Sequence, residues 1–425
     1  MFFLILFWCQ AQEIQQKKLS NNIDVYVQHI QSQKMLEIRV DYDLFPVMLQ
    51  EAGMAHLVEH LMFHPSRNMQ GRTFDQWIES FGGNSKAYTN LDTLSLTTQI
   101  PIEAWERTLF LERDRMFHLC VGDKIPALEE EINVVTQEYL SEQLIMDKRV
   151  DELLRRMIFG HSTMGLSVLG DMVDMAFLSQ EQVCSYISGR LQSMPVRIII
   201  SGDIEPQKAI ADVVKYFDQP RLPQLKPHSI APAHHPPPQK RYWYNSSEKS
   251  LYFFWSTVSV TDPKSDLFDI AKTVLLSRDI GWLKHEKYHV RIWSEQTRQG
   301  GYWLLRIEGG DIEAMYTFVH RRFTELISFW GGVGKKELNR AYLIQRRVLL
   351  HHTHNFSAQT SFLAQCLHRE MSPFCLEEKL NRYKEIQPRA LKDLFKTLLS
   401  LEQAYILSLG PSLDQALSHS SSLHP

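Results

Sequence analysis

Apolar and polar residues alternate along residues 23–27 and 35–42, the period of a half-buried β-strand. The pattern then changes. From Glu51 to Phe63 the apolar residues recur at helical spacing with no interrupting proline, which predicts a helix. Thr73 is placed to cap a second helix through Trp77 and Ile78 that stops at Gly82-Gly83. Residues 84–100 alternate again, with Thr93, Ser95 and Thr97 in step, and read as paired strands. Helical stretches follow: one opened by Pro101 and carrying Trp105, Leu109, Leu111 and Met116, a long polar-faced one over 125–145, and others over 150–158, 180–191 and 207–217. Val196-Arg-Ile-Ile-Ile200 is a short apolar run ahead of Gly202 and reads as a buried strand.

Residues 219–239 break this regularity with Pro220, Pro223, Pro227, Pro232 and the run Pro236-Pro237-Pro238. Proline fixes φ and removes a backbone donor, so the stretch reads as an extended connection between domains. Its His228, His234 and His235 read as solvated linker side chains. Beyond it the chain weakly repeats itself. Val196-Arg-Ile-Ile-Ile-Ser-Gly202 and Ala404-Tyr-Ile-Leu-Ser-Leu-Gly410 align at an offset of 208 residues, which also matches Val183 with Leu391 and Leu191 with Leu399. Leu36-Glu-Ile-Arg-Val40 has a counterpart near Leu251-Tyr-Phe-Phe-Trp255, so a helix is expected near 269–276. Duplication at half length predicts two similar α+β domains, over 13–218 and 241–425, joined by a Pro-rich linker at 219–240.

Composition narrows the function classes. Of 425 residues, 44% are hydrophobic and 22% charged, with a net charge of −3, so no basic excess argues for nucleic acid. The five cysteines (Cys9, Cys120, Cys184, Cys366, Cys375) contain no C-x-x-C pair, which argues against a zinc ribbon or redox motif and leaves the compartment undecided. Phe2 to Trp8 is an unbroken apolar run, and Ala11 is a small residue where a signal peptidase would cut. Residues 1–12 therefore read as a signal peptide, short and without a preceding basic residue, and the expectation is a periplasmic or secreted protein, with a cytoplasmic one as the alternative. Trp8 is too bulky for a lipoprotein signal around Cys9. No other run approaches the roughly 20 apolar residues of a membrane helix.

The chemistry concentrates in the first predicted helix after residue 50. His56 and His60 are one turn apart, so two imidazoles share a face and can bind one tetrahedral ion. Glu59, about 100° round the helix from His60, reaches a water beside such an ion without ligating it. The arrangement is H-x-x-E-H. Two helix-surface histidines beside a carboxylate would be the plainer explanation. Zinc in a hydrolase takes three protein ligands and keeps a fourth place open. Glu131 and Glu138, seven apart on the helix over 125–145, are the candidates for the third, though glutamates on a polar helix more often form a solvated face.

With these residues the chain resembles the pitrilysin family, the inverzincin zinc peptidases that include insulysin and the mitochondrial processing peptidase. Glu138 lies 78 residues beyond His60, as that family's spacing requires. Gly82-Gly-Asn-Ser-Lys-Ala-Tyr-Thr-Asn-Leu-Asp92 resembles its G-G-x-x-N-A-x-T-S-x-D strand, and Ala52-Gly-Met-Ala-His56, Phe159-Gly-His161 and Ile200-Ser-Gly-Asp-Ile204 fall where it has counterparts. The resemblance implies that His56, His60 and Glu138 ligate Zn2+, that Glu59 is the catalytic base and that Glu131 supports the site. It implies two α+β domains, each a mainly antiparallel sheet packed with helices, and a zinc metalloendopeptidase that holds short or unfolded peptides on an edge strand near Lys86 and Ala87. Lys86 stands where relatives usually carry Asn. Relatives also place an Arg and a Tyr seven apart in the companion domain to stabilise the oxyanion. Here Lys284 and Arg291 align there and read as surface charges, while Arg298 and Tyr302 are only four apart. The chain thus resembles the zinc-bearing half of a heterodimer whose second pitrilysin-like subunit supplies the Arg/Tyr pair. A homodimer is the other arrangement, and a non-catalytic scaffold or peptide-binding subunit the other function.

Overall fold

The structure is a computed structural model that describes residues 14–44, 48–120, 124–224, 241–277, 283–328, 333–351, 355–369 and 372–414. The expected signal peptide with Cys9, and the linker from 225 to 240 with its three histidines, lie outside them. The described residues form two compact units. The first holds 14–149, 161–224 and 355–364; the second holds 150–160, 241–351 and 365–414. These units depart in two places from the expected boundaries. Residues 150–160 group with the second because their side chains pack there: Arg155 lies over the Tyr302 ring, and the Phe159 and Phe254 rings are 6.0 Å apart. Residues 355–364 group with the first.

In the first unit, strands β1 (Ile14–Lys18), β2 (Asp24–His29), β3 (Met35–Asp43), β4 (Asn84–Thr89), β5 (Thr93–Pro101) and β6 (Val196–Gly202) form one sheet in the order β1-β2-β6-β3-β5-β4. Only β2 and β6 run parallel; the other neighbours are antiparallel. Leu36, Ile38, Val40 and Tyr42 of β3 alternate onto the apolar face and are buried with Leu57, Val58 and Leu61 of helix α1 (Met54–Leu61). Glu37, Arg39, Asp41 and Asp43 point the other way and are buried too: Arg39 Nε donates to Asp41 at 2.8 Å, Arg197 forks onto Asp43, and Glu37, its pKa raised by burial, accepts from Gln99 Nε2 at 2.7 Å. Helices α2 (Phe74–Ser80), α3 (Trp105–Phe117) and α4 (Leu128–Gln143) follow in order. Next come α5 (Met146–Phe159), α6 (Met172–Ala176), α7 (Gln180–Ser185) and α8 (Pro206–Phe217). Thr73 caps α2 as expected, and its Oγ1 accepts the Gln76 N–H.

The second unit repeats this plan. Strands β7 (Arg241–Tyr244), β8 (Ser250–Thr257), β9 (His289–Gln296), β10 (Gly301–Glu308) and β11 (Tyr405–Leu409) lie in the order β7-β11-β8-β10-β9, again with a single parallel pair, β7 and β11. Position by position this is β2-β6-β3-β5-β4, so the 208-residue offset aligns β6 with β11, and β8 is the counterpart of β3. Helices α9 (Ser265–Leu276), α10 (Ile312–Ile327), α11 (Lys335–His351), α12 (Phe356–Arg369), α13 (Cys375–Glu385) and α14 (Pro388–Lys396) complete the order of elements. Two mainly antiparallel sheets packed with helices are the α+β class expected. No helix among the described residues is long and apolar enough to cross a membrane.

Cysteine spacing gave no pairing, but the fold does. Cys120 and Cys184 are bridged in the first unit with Cα atoms 5.8 Å apart, and Cys366 and Cys375 in the second at 5.4 Å. The first bridge ties the segment after α3 to α7. Replacing Cys120 and Cys184 together by serine should lower unfolding free energy by about 2–5 kcal/mol, read as a reduced denaturant midpoint. An unchanged midpoint would contradict the bracing role.

Candidate metal centre

Helix α1 begins at a contact that only glycine permits. Gly53 has φ +82° and Gly170 φ +83°, and a Cβ on Gly53 would lie 2.7 Å from the Gly170 Cα. The chain from 49 to 51 is a 3-10 turn, so α1 starts three residues later than its apolar pattern predicts. Met54, Ala55, Leu57, Val58 and Leu61 are buried, which leaves His56, Glu59 and His60 half-buried on the other face. Helix α4 faces them. Its first turn carries Glu129, Glu130 and Glu131, where the positive end of the helix favours carboxylates. The approach to α4 is held by the Cys120–Cys184 bridge and by the Ile125 N–H, which donates to Gln180 Oε1 at 2.9 Å.

This packing brings the expected ligands together. His56 Nε2 and His60 Nε2 each lie 3.6 Å from Glu138 Oε2, and one donor atom from each residue falls within 4.8 Å of the others. These separations are too long for hydrogen bonds. Tetrahedral zinc with ligands about 2.0–2.1 Å away sets donor atoms roughly 3.3–3.4 Å apart, and two imidazoles with one carboxylate form a hydrolytic zinc donor set. The residues therefore fit the ion. Burial, with His60 as a lesser cause, pulls the His56 pKa down to about 4, so this imidazole is neutral at physiological pH and keeps a lone pair. Its buried Nδ1 has no hydrogen-bond partner.

The other two carboxylates are set in opposite directions. Burial lifts Glu59 above the ordinary carboxylate range, against the opposing pull of the Thr89 hydroxyl and of His60, while Glu138 adds to the rise. Thr89 Oγ1 donates to Glu59 Oε2 at 2.5 Å. Burial would also raise Glu131, but hydrogen bonds from His64 and His60 outweigh it and hold the group below its usual range. His60 Nδ1 is 2.8 Å from Glu131 Oε2, and His64 Nε2 is 2.6 Å from Oε1.

Thr89 and His64 were given no role from sequence. His64 carries a signal, since it lies one further turn beyond His60; Thr89 carries none apart from its place in the strand over 84–89. Strand β4 is one of the two edges of its sheet among the described residues. Alternation puts Ala87 and Thr89 on the α1 side, with Ala87 packed against the core, whereas Lys86 projects to the opposite face, near Glu37. A cleft of about 730 Å3 opens beside the triad, lined by His56, Val134, Gln137, Glu138, Ser141 and Leu169. In the second unit Lys284 and Arg291 are exposed. Arg298 is spent on the His368 carbonyl, through Nε at 3.1 Å and Nη2 at 2.9 Å, and Tyr302 is buried beneath Arg155.

Residues 49–171, which contain the whole of this constellation, match the family described as Insulinase (Peptidase family M16). The chain carries an M16 peptidase domain. Among curated relatives, an uncharacterized zinc protease of Bacillus subtilis is 24% identical over 165 residues, 39% of this chain and 40% of that protein. The mitochondrial-processing peptidase subunit beta of Saccharomyces cerevisiae is 21% identical over 202 residues, 47% of this chain and 43% of its own length. The chain thus spans about two fifths of the curated relatives it matches. A protease from Helicobacter pylori superposes with a TM-score of 0.80 at 17% identity, over 94% of this chain and 100% of that one. A structure titled as an M16 peptidase inactive domain, from Pseudomonas fluorescens, reaches 0.76 at 15% identity, over 94% and 98%. At these identities the likeness speaks for the fold alone.

The Thr89 contact makes a direct prediction. Its hydroxyl favours the charged form of Glu59, so Thr89→Val should move the Glu59 pKa further up. A carboxyl-carbon NMR titration of metal-free protein would read the shift, and an unchanged or lower value would contradict the assignment.

Proposed function

We propose that this chain is a zinc-dependent endopeptidase acting on short or unfolded peptides. The observation that carries the reading is the convergence of His56, His60 and Glu138 with Glu59 alongside, on two helices far apart in sequence. His56 and His60 would hold the ion through Nε2 and Glu138 through a carboxylate oxygen. When bound, zinc supplies the Lewis acidity that makes water a competent nucleophile near neutral pH. Glu59 does the proton work: Thr89 occupies Oε2, so Oε1 is the atom that takes a proton from water and later returns it to the leaving amine. The raised pKa of Glu59 suits a group that must bind and release that proton within one cycle.

A peptide would add to the free edge of β4 as an extra strand, bound through backbone hydrogen bonds that demand little sequence. Ala87 keeps that edge shallow on the metal side. Lys86, on the other face, would act on the peptide through its charge. Because Lys284 and Arg291 do not form an Arg/Tyr pair, we place the oxyanion-stabilising pair on a second M16-like subunit, with a homodimer as the other arrangement. Two disulfides favour an oxidising compartment, which supports a periplasmic or secreted enzyme. The likeness to an inactive domain keeps a scaffold role as the second reading, and metal content separates the two.

Glu59→Gln should retain close to one zinc per chain while kcat falls by about 10²–10⁴-fold. His60→Ala should lose both zinc and turnover. Metal analysis and a quenched-peptide assay read the two outcomes, and a Glu59→Gln variant that turns over like the parent would sink the mechanism. The partner assignment is tested by assaying the chain purified alone and co-purified from its native source. Turnover by the lone chain that equals that of the complex would refute the need for a second subunit.

A further inference from the structure

Glu131 is gripped through both of its oxygens. Oε2 accepts from His60 Nδ1 at 2.8 Å and Oε1 accepts from His64 Nε2 at 2.6 Å. The two histidines lie one turn apart at the end of α1, where the His64 N–H reaches the Leu61 carbonyl at 3.1 Å, and Glu131 comes from the first turn of α4. All three side chains are largely shielded from water, at 18%, 21% and 13% exposure for His60, His64 and Glu131, so these bonds are not diluted by solvent. A carboxylate held through one oxygen can still turn about its last bond. Held through both, its plane is fixed. That plane in turn fixes the imidazole of His60: a proton on Nδ1, given to Glu131, leaves Nε2 as the lone pair facing Glu138 and His56.

We infer that His64 is a positioning residue for the metal centre, acting through Glu131 to set the orientation and tautomer of His60 and hence the affinity for zinc. The inference rests on His60 being a ligand. His64 stands outside the group of donor atoms that converge on one point, and its Nε2 is engaged by Glu131, so it orders the site without touching the ion.

The test measures the zinc dissociation constant of full-length protein by competition with a chromophoric chelator, in a Glu59→Gln background that prevents self-cleavage. His64→Leu keeps the volume but removes the donor, and His64→Gln restores an N–H that can reach Oε1. The leucine variant should bind zinc about 10-fold or more weakly, with the glutamine variant recovering most of the loss. In a Glu131→Ala background, His64→Leu should cost nothing further, because its effect passes through Glu131. Melting curves of zinc-free protein check that each variant is folded. Parent-like affinity for His64→Leu overturns the inference, as does an equal loss in the Glu131→Ala background. A parent protein that binds no zinc overturns the underlying metal reading instead, and this inference falls with it.

Discussion

Two helices separated by some seventy residues have to meet face to face with six ionisable side chains between them. Partly burying three imidazoles and three carboxylates is costly unless each finds a partner. Glu131 finds His60 and His64, and Glu59 finds Thr89. Glu138 Oε2, on a side chain 45% open to water, is met by the two Nε2 atoms at 3.6 Å. Two imidazole nitrogens and one carboxylate oxygen brought this close form a donor set that a shared cation would take. The Gly53–Gly170 contact and the Cys120–Cys184 bridge fix the ends of the two helices that make this meeting possible.

The second unit shows the same helix pairing without that requirement. There α9 takes the place of α1, and α11 that of α4, by order along the chain. On α9, Ile270, Ala271, Val274 and Leu275 are buried where a ligand face would be. The Gln345 amide of α11 donates to Thr273 Oγ1 at 2.5 Å and to the Asp269 carbonyl at 3.2 Å. The acids of α9 are matched within the protein: Asp269 receives Lys379 at 3.0 Å and Tyr383 at 2.6 Å, and Asp266 receives Arg382 at 2.5 Å. One copy of the fold closes its polar groups on themselves; the other leaves three donor atoms aimed at one point.

Much of this was legible along the chain, for identifiable reasons. The helical period around His56 and His60, the strand period in β3 and β5, and the repeat linking β6 to β11 all come from side-chain alternation, which the sequence carries directly. Other features depend on tertiary contact. Strand β1, Ile-Gln-Gln-Lys-Lys, is an exposed edge with no apolar period to read. The stretch over 180–191 loosens into a π turn at Tyr186–Arg190 that its apolar spacing does not announce. The grouping of 150–160 with the second unit rests on Arg155, Tyr302, Phe159 and Phe254, residues about a hundred or more apart in sequence. Disulfide pairing and the grip of His64 on Glu131 are likewise visible only once the helices are in place. Spacing picks out the histidine pair and offers the glutamates as candidates, and the family resemblance supplies their roles; how they are held is not written in the spacing.

The proposed peptidase function stands on one ion shared by His56, His60 and Glu138. Anomalous diffraction at the zinc edge, from crystals of the zinc-loaded chain, tests it most directly. A single strong peak is expected within about 2.0–2.2 Å of His56 Nε2, His60 Nε2 and a Glu138 oxygen. A loaded crystal with no peak there, or with its zinc held by other residues, would contradict it.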